Sequence, residues 1–311
     1  MNRRDKLRSM AAPRFDGARR LCAASQSTLP VMVAVGWLCG GIQSRWTDGQ
    51  WAWAGEPSQA VDPMSEPLIT DRPDFTESTE AIPAGHIQLE MGYTFTYDRE
   101  GSDRTREQTA PEMLVRIGVI ERLELRVGWE GYTWTDNRFE EKTEAGRRVT
   151  VDDWSQSAND LSLGVKYKFF DQEGLRPDFG MIAEFTVPSG TRGVSSGDVD
   201  PGVVLLWAYD LTDRLSLAGN VGVAAPTEDG DRFVQTTASL SFAMSITDRL
   251  GSYVEYFGFY PNTEDTDCAH SLNGGFTYLF GNNFQIDWRI GAGLNEEADD
   301  FFTGAGFGWR F

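Results

Sequence analysis

Apolar and polar residues alternate one by one along most of the chain that follows residue 84. In the first such stretch, apolar side chains occupy every second position from Ile87 to Tyr97, and polar residues or glycine fill the positions between them. A period of two residues is typical of a β-strand whose two faces meet different surroundings. No stretch in this part of the chain shows a sustained period of 3.6 residues, so the sequence predicts an all-β fold with almost no helix.

Eleven more stretches show this alternation, so twelve strands are predicted. They cover residues 113–119, 123–130, 161–169, 179–187, 203–209, 215–223, 234–246, 253–260, 272–280, 284–294 and 301–311. Stretch 253–260 is ambiguous, because aromatic residues occupy both of its faces. Short connections alternate with long polar ones, which are predicted at residues 98–108, 135–159, 188–201, 226–232, 261–269 and 295–300. This order is typical of an up-and-down antiparallel barrel whose two ends face different surroundings.

Alternation alone does not say which face of each strand points outward. A soluble barrel would bury the apolar face, whereas a membrane barrel would expose it to lipid. Barrels of about eight strands already fill their interior with side chains, and twelve would enclose too much volume to pack dry. The other face carries small residues and charges of both signs, and Trp and Tyr gather near strand ends, as at membrane interfaces. The sequence therefore predicts a transmembrane up-and-down antiparallel β-barrel over residues 84–311.

Charged residues at the polar positions are the candidates for the wall of a lumen. They are Glu90, Arg116, Glu124, Arg126, Glu130, Lys166, Lys168, Glu184, Asp287 and Arg289. Acids and bases opposed across a narrow lumen would orient polar solutes. The alternative role is mutual pairing that stabilises the interior of the barrel.

The last predicted strand ends on an aromatic residue, Phe311. This ending resembles the C-terminal signal by which the barrel-assembly machinery recognises outer-membrane barrels. An ordinary edge strand is the alternative.

The N-terminus is basic and is followed by an apolar run at residues 29–42. This run is too short to span a membrane as a helix but suits a secretory signal. Ala52-Trp53-Ala54 offers a small-x-small cleavage site, so residues 1–54 are predicted to be a leader whose cleavage position stays open. Residues 55–83 then form a periplasmic N-terminal segment, and the predicted location is the cell outer membrane. After this leader the sequence contains one cysteine, Cys268, so no internal disulfide is expected.

Charge is unevenly distributed along the sequence. Residues 1–60 contain eight Lys/Arg and four Asp/Glu, whereas the remainder contains 20 Lys/Arg and 43 Asp/Glu. Such an acidic body repels nucleic acid, so no nucleic-acid partner is expected. No cofactor or metal site is predicted, although acidic connections such as 295–300 offer the alternative of divalent cations held between phosphates of lipopolysaccharide. The expected partners are outer-membrane lipid, lipopolysaccharide and a small-molecule solute.

The segment "ITDRPDFTEST", followed by "PAGHIQLEMGYTFTYD", resembles the start of the barrel in the outer-membrane transporters grouped as the meta-pathway phenol-degradation family. The likeness is strongest over residues 69–97 and continues to residue 311 as strand spacing and turn chemistry. The matching residues are Thr70, Asp71, Arg72, Pro73, Asp74, Phe75, Thr76, Gly85, Gln88 and Glu90. The resemblance implies a passive import channel for small compounds, with aromatic or hydrophobic ones as the expected class, and leaves the solute itself open.

Two interpretations apply to residues 61–83. In the first, the segment folds back into the lumen as a plug formed by Asp71, Arg72, Asp74 and Phe75, whose charges pair with the wall. In the second, it is a periplasmic leader whose charges are solvated. The sequence leaves both open.

Two other function classes remain as alternatives, a structural or adhesive barrel and a lipid-modifying enzyme of the outer membrane. An enzyme of this kind needs a base, and the sequence offers only His86 and His270. His270 precedes Ser271, and neighbouring residues of a strand point to opposite faces, so they cannot form a local nucleophile–base pair. No catalytic residue is therefore predicted.

Overall fold

The computed structural model describes residues 62–142, 147–192, 194–228, 230–263 and 267–311. The predicted leader, residues 1–54, lies outside this part of the chain. The strands are β1 Ile87–Glu100, β2 Asp103–Ile120, β3 Leu123–Trp129, β4 Tyr132–Lys142, β5 Arg148–Ala158, β6 Leu161–Phe170, β7 Asp178–Val187, β8 Asp200–Thr212, β9 Leu215–Ala224, β10 Thr227–Glu228, β11 Asp231–Arg232, β12 Gln235–Ser245, β13 Leu250–Pro261, β14 Ala269–Leu279, β15 Phe284–Gly293 and β16 Phe301–Arg310. The helical residues in these ranges are the single 3₁₀ turn Pro63–Ser65. None of the described residues forms a helix long and apolar enough to cross a membrane.

The strands close into an antiparallel barrel. Each strand pairs with its neighbours along the chain, and β1 closes the ring by pairing with both β2 and β16, as in the pairs Gln88 with Arg116 and Gln88 with Arg310. β3 and β4 form one strand interrupted at residues 130–131, because β2 pairs with both of them in turn. β5 and β6 form the next strand in the same way. Counted so, the barrel has twelve strands, and the predicted all-β up-and-down fold is confirmed.

The apolar faces of the strands point out of the barrel. On β6, Leu163 and Val165 are 39% and 38% exposed, whereas Lys166, on the opposite face, is fully buried. The same order holds on β12, where Leu240 and Phe242 are exposed and Ser241 is buried. The buried interior of the barrel is therefore mainly polar and charged, the inverse of a soluble core.

Two of the predicted long connections are parts of barrel strands, and a third, 226–232, holds the paired two-residue strands β10 and β11, which corrects the sequence prediction. Residues 98–108 form the end of β1 and the start of β2, joined by a tight turn at residues 101–102. Residues 135–159 form most of the β4–β5 hairpin. Beyond the apolar band both faces of a strand are polar, so apolar–polar alternation cannot reveal strands there.

The short connections repeat one turn chemistry. Thr212 and Thr247 occupy equivalent places in the sequences "LTDRLSL" and "ITDRLGS". The Oγ1 of Thr247 accepts hydrogen bonds from the backbone N–H groups of Arg249 (3.2 Å) and Leu250 (3.0 Å). Thr212 accepts from the two corresponding N–H groups of its own turn. A threonine at this position stabilises a compact reversal of the chain.

Candidate functional site: a charged segment inside the barrel

Residues 68–83, here called the lumen segment, lie inside the barrel. The segment enters at the end that carries the short turns, where the N–H of Leu68 donates to the carbonyl of Asn282 (2.7 Å). It then reaches the wall formed by β12 and β13 at Thr76, and returns to the short-turn end beside Gly118. Leu68, Thr76 and Ile82 are each at most 4% exposed. The segment is therefore enclosed by the strands and does not form one of them.

Asp71 is the centre of the contacts on one side of the lumen. Its Oδ2 lies 2.5 Å from Arg126 Nη1, 2.7 Å from Lys166 Nζ and 3.3 Å from Arg116 Nη1. Its backbone N–H donates to the carboxylate of Glu90 at 3.0 Å. Burial opposes ionisation of Asp71, but the three neighbouring cations outweigh burial and hold the pKa of this carboxyl well below its usual value. One carboxylate thus joins the lumen segment to β2, β3 and β6.

Arg72, the next residue of the lumen segment, bridges two acids of the wall. Its guanidinium lies 3.0 Å from Glu112 on β2 and 3.4 Å from Asp287 on β15. A Cβ placed on Gly92 would lie 2.2 Å from the Cζ of Arg72, so a side chain at this inward position would displace the guanidinium. Glycine on the inner face of β1 therefore provides the space in which Arg72 lies.

Glu255 on β13 binds the far end of the lumen segment. Its carboxylate accepts hydrogen bonds from the backbone N–H groups of Phe75 (2.8 Å) and Thr76 (2.6 Å) and from the amide of Asn273 (2.7 Å). Asp74 lies nearby and accepts from the hydroxyl of Ser241 at 3.1 Å. Burial, together with the charge of Glu255, raises the pKa of Asp74 well above its usual value, which favours the protonated form.

Eight of the ten predicted wall residues contact the lumen segment. They are Glu90, Arg116, Glu124, Arg126, Lys166, Lys168, Asp287 and Arg289. Glu184, on the inner face of β7, and Glu130, between β3 and β4, make no hydrogen bond with the segment among the described residues. The structure thus gives the position of all ten residues. Their role in solute selectivity stays a prediction.

Sequence reasoning missed several residues that hold the lumen segment. Glu255 lies in the stretch whose two aromatic faces made it ambiguous, and Glu112 lies just outside the strand predicted to begin at residue 113. One feature of the sequence could have indicated a segment inside the barrel: glycines at inward positions of the strands, since glycine in a strand often marks the close approach of another backbone. A Cβ on Gly118, for example, would lie 2.1 Å from the carbonyl oxygen of Pro83.

Four phenylalanines form an aromatic cluster at the tip of the lumen segment. Phe75 stacks on Phe257, with ring centroids 4.8 Å apart, and contacts the edge of Phe259 at 5.3 Å. Phe302 packs against Phe257 at 6.0 Å, and the guanidinium of Arg289 lies 6.0 Å from the centre of the Phe302 ring. The inward phenylalanines of β13 explain why its sequence is aromatic on both faces. An apolar patch is thus present within an otherwise polar lumen.

The lumen segment leaves open space on one side. A cavity of about 330 Å³ lies between residues 68–74 and the short-turn ends of β8, β9, β12 and β13. Its lining includes Asp74, Tyr253 and Gln285. Unoccupied space therefore borders residues 68–74 on this side of the lumen.

His270 makes none of the contacts of the charged site, whereas the backbone N–H of His86 donates to the carbonyl of Pro83 at the end of the lumen segment (3.1 Å). His270 Nδ1 is 2.6 Å from the hydroxyl of Tyr256, which also bonds Tyr260, whereas the neighbouring Ser271 is buried on the inner face. Within the described ranges, no group of three or more His, Cys, Asp or Glu residues is arranged to hold a metal ion. The predicted separation of His270 from Ser271 agrees with this geometry.

A protein-family description, "Putative MetA-pathway of phenol degradation", matches residues 70–311. The chain belongs to this family. The resemblance expected from residues 69–97 is therefore confirmed, and the match extends over the lumen segment and the whole barrel of this family member.

Similar solved structures are distant from this chain in sequence. The COG4313 outer membrane channel from Pseudomonas putida F1 is 15% identical, with a TM-score of 0.50 over 75% of this chain and 98% of that chain. The translocator domain of the autotransporter NalP from Neisseria meningitidis is 11% identical, with a TM-score of 0.43 over 73% and 88%. The CymD monoaromatic hydrocarbon channel is 12% identical, with a TM-score of 0.39 over 74% and 89%. None of the curated proteins matches this chain.

Proposed function

We propose that this family member is an outer-membrane channel for passive uptake of small aromatic or hydrophobic compounds, in which the lumen segment is a movable plug. The observation that carries the proposal is the charged segment held inside a closed barrel of polar interior. A barrel built only for structure or adhesion has no use for a water-compatible interior occupied by a separate, ion-paired segment. Passive uptake of this kind requires no catalytic residue.

The exterior of the barrel supports a membrane location. Large apolar side chains face outward on every side, and Leu125, Leu240 and Trp288 are each more than 40% exposed. Water would disfavour such a surface, whereas a bilayer favours it, and the closed ring leaves no unpaired strand edge in the lipid. Phe311 exchanges two backbone hydrogen bonds with Ile87, which extends the closure of the ring, and is 53% exposed. These features support insertion into the outer membrane with the short turns toward the periplasm.

The aromatic cluster supports the class of solute. Phe75 of the lumen segment stacks on Phe257 and contacts Phe259 edge-on, while Phe302 packs against Phe257. A solute ring that replaces Phe75 would gain the same stacking contacts. The solute would thus bind to the same aromatic surface that Phe75 leaves when the lumen segment is displaced.

A disulfide that fixes the lumen segment tests whether it must move. Thr76 Oγ1 and Ser239 Oγ are 2.8 Å apart, so the variant T76C/S239C/C268S places two sulfurs within bonding reach. In proteoliposomes, the oxidised variant is expected to transport benzoate no faster than empty liposomes, and reduction is expected to restore uptake. T76C/C268S, with one cysteine, is the control and is expected to be insensitive to oxidation. Equal uptake by the oxidised and reduced forms, with the disulfide verified by mass, would refute the movable plug.

Phe257→Ala is expected to lower the preference for aromatic solutes. The substitution removes a stacking surface, and aromatic pairs contribute about 0.5–1.5 kcal/mol, so uptake of benzoate relative to hexanoate should fall about threefold to tenfold. Phe242→Ala is the matched control, because Phe242 is 40% exposed on the outer face of β12. An unchanged ratio in Phe257→Ala, or an equal loss in the control, would count against the aromatic site.

A further inference from the structure

Charges of opposite sign are sorted to opposite faces where β1 and β2 extend beyond the apolar band. The sequence here reads "YDREGSDRTREQ". Arg99 and Arg106 share the outward face with Tyr97, since Tyr97 pairs with Arg106 in the register of the two strands. Asp98 and Glu107 fall on the inward face. The strand period therefore directs the bases out of the barrel and the acids toward its mouth.

Arginines stand side by side on three neighbouring strands. Arg99 on β1 pairs with Arg104 on β2, and Arg104 pairs with Arg138 on β4. Directly paired residues of an antiparallel sheet have their Cα atoms about 4.5–5.5 Å apart, and like charges in this position destabilise the sheet. Such a row needs anionic charge nearby.

The protein itself supplies only part of this charge. Arg106 faces Asp136 at 3.9 Å, and Arg138 faces Asp152 at 3.4 Å. Arg99 and Arg104 have no carboxylate within 4 Å among the described residues, and the Nε of Arg104 makes no hydrogen bond. The centre of the row is therefore uncompensated.

This concentration of bases is confined to one sector of the barrel. From residue 160 onward, no outward position of a described barrel strand carries Lys or Arg. Phe95 and Trp134, on the same face, lie one row nearer the apolar band than Arg106, and the 64% exposed Trp154 lies in the row of Arg106 itself. Aromatic residues mark the level of the membrane interface, so the arginines lie at the level of lipid headgroups.

We propose that Arg99, Arg104, Arg106 and Arg138 form a binding surface for the phosphates of a phosphorylated glycolipid in the outer leaflet. Guanidinium groups bind phosphate through paired hydrogen bonds, and the headgroup level is where such phosphates are present at high density. The outward direction of the side chains points to a membrane lipid and not to a solute passing through the lumen. This inference rests on the proposed outer-membrane location and adds a partner surface to it.

The test measures binding of bisphosphorylated lipid A to the detergent-purified barrel by native mass spectrometry. The variant R99Q/R104Q is expected to bind about 30-fold more weakly, since each basic residue near an anionic membrane surface contributes about 1 kcal/mol. The control R214Q/R249Q removes the same charge from exposed turns at the opposite end and is expected to bind like the parent. Dephosphorylated lipid A should bind weakly and equally to all three proteins.

The outcomes separate this inference from the proposed function. Equal affinity of the parent and R99Q/R104Q, or an equal loss in R214Q/R249Q, would overturn the phosphate surface. Displacement of lipid A by inorganic phosphate at matched concentration would identify a free-anion site and would also overturn it. Each protein is tested in parallel for conductance after removal of residues 62–83. A conducting barrel without lipid selectivity defeats only this inference, whereas a barrel that never conducts defeats the channel.

Discussion

Deletion of residues 62–83 is expected to convert a nearly closed barrel into an open pore, with a severalfold rise in single-channel conductance. The deletion removes the lumen segment but none of the strand pairings, because every barrel strand lies after residue 86. Twelve strands enclose a lumen too wide for the remaining wall side chains to fill. Planar-bilayer recording of the refolded variant measures the change.

The opened pore is also expected to prefer anions more than the intact protein does. The deleted residues carry six carboxylates and one cation, Arg72, whereas the wall keeps Arg116, Arg126 and Lys166 without their partner Asp71. Adding Arg126→Ala to the deletion should move the reversal potential back toward cation selectivity.

A shorter deletion of residues 62–66, which leaves Asp71 in place, is the control and should conduct like the intact chain. A folded deletion variant with unchanged conductance would contradict the assignment of the segment as a plug.

Asp71→Asn is expected to release the lumen segment without removing it. Asn keeps the shape of the side chain but loses the charge that faces Arg116, Arg126 and Lys166. Removing one partner of a buried ion pair costs about 3–5 kcal/mol, because the remaining charges stay buried without compensation. The free-energy difference that favours the closed state over the open state should therefore become much smaller, and the channel should open frequently.

Asp74→Asn is the matched control, since the Asp74 carboxylate accepts a hydrogen bond from Ser241 and forms no ion pair among the described residues, and its burial raises its pKa. Open probability in bilayer recordings should rise strongly in Asp71→Asn and little in Asp74→Asn. Equal behaviour of the two variants would show that the charge of Asp71 does not hold the segment.

The same contacts predict how acid acts on the closed state. Asp71 has a lower pKa in the folded protein than in the unfolded chain, so its stabilising effect is complete at neutral pH and is lost as the pH falls through the folded value. Openings of the intact protein should therefore become more frequent at low pH. In Asp71→Asn this part of the pH dependence should be absent.

The strands that cross the apolar band, and the direction in which their side chains point, can be predicted from the amino-acid sequence alone. Strict alternation, as in Ile87 to Tyr97, fixes two faces, and the number of strands excludes a dry interior. It also identified wall charges such as Glu90 and Arg126, because charged residues in such strands must avoid lipid. The signal ended where both faces of a strand are polar, so the extensions at 98–108 and 135–159 were taken for loops.

The segment that occupies the lumen could not be predicted in this way, because its position depends on contacts that form when the barrel closes. The charges of residues 68–83 suit either water or a polar interior, and local sequence cannot distinguish the two. The partners of the segment, Glu90, Asp287 and Glu255, come from strands far apart in sequence and meet only when the barrel closes. The row of arginines also depends on the register of the strands. Arg99, Arg104 and Arg138 become neighbours only because β1, β2 and β4 pair as they do. Contacts across a closed ring depend on the shear and register of every strand, and these quantities are not encoded in any single stretch.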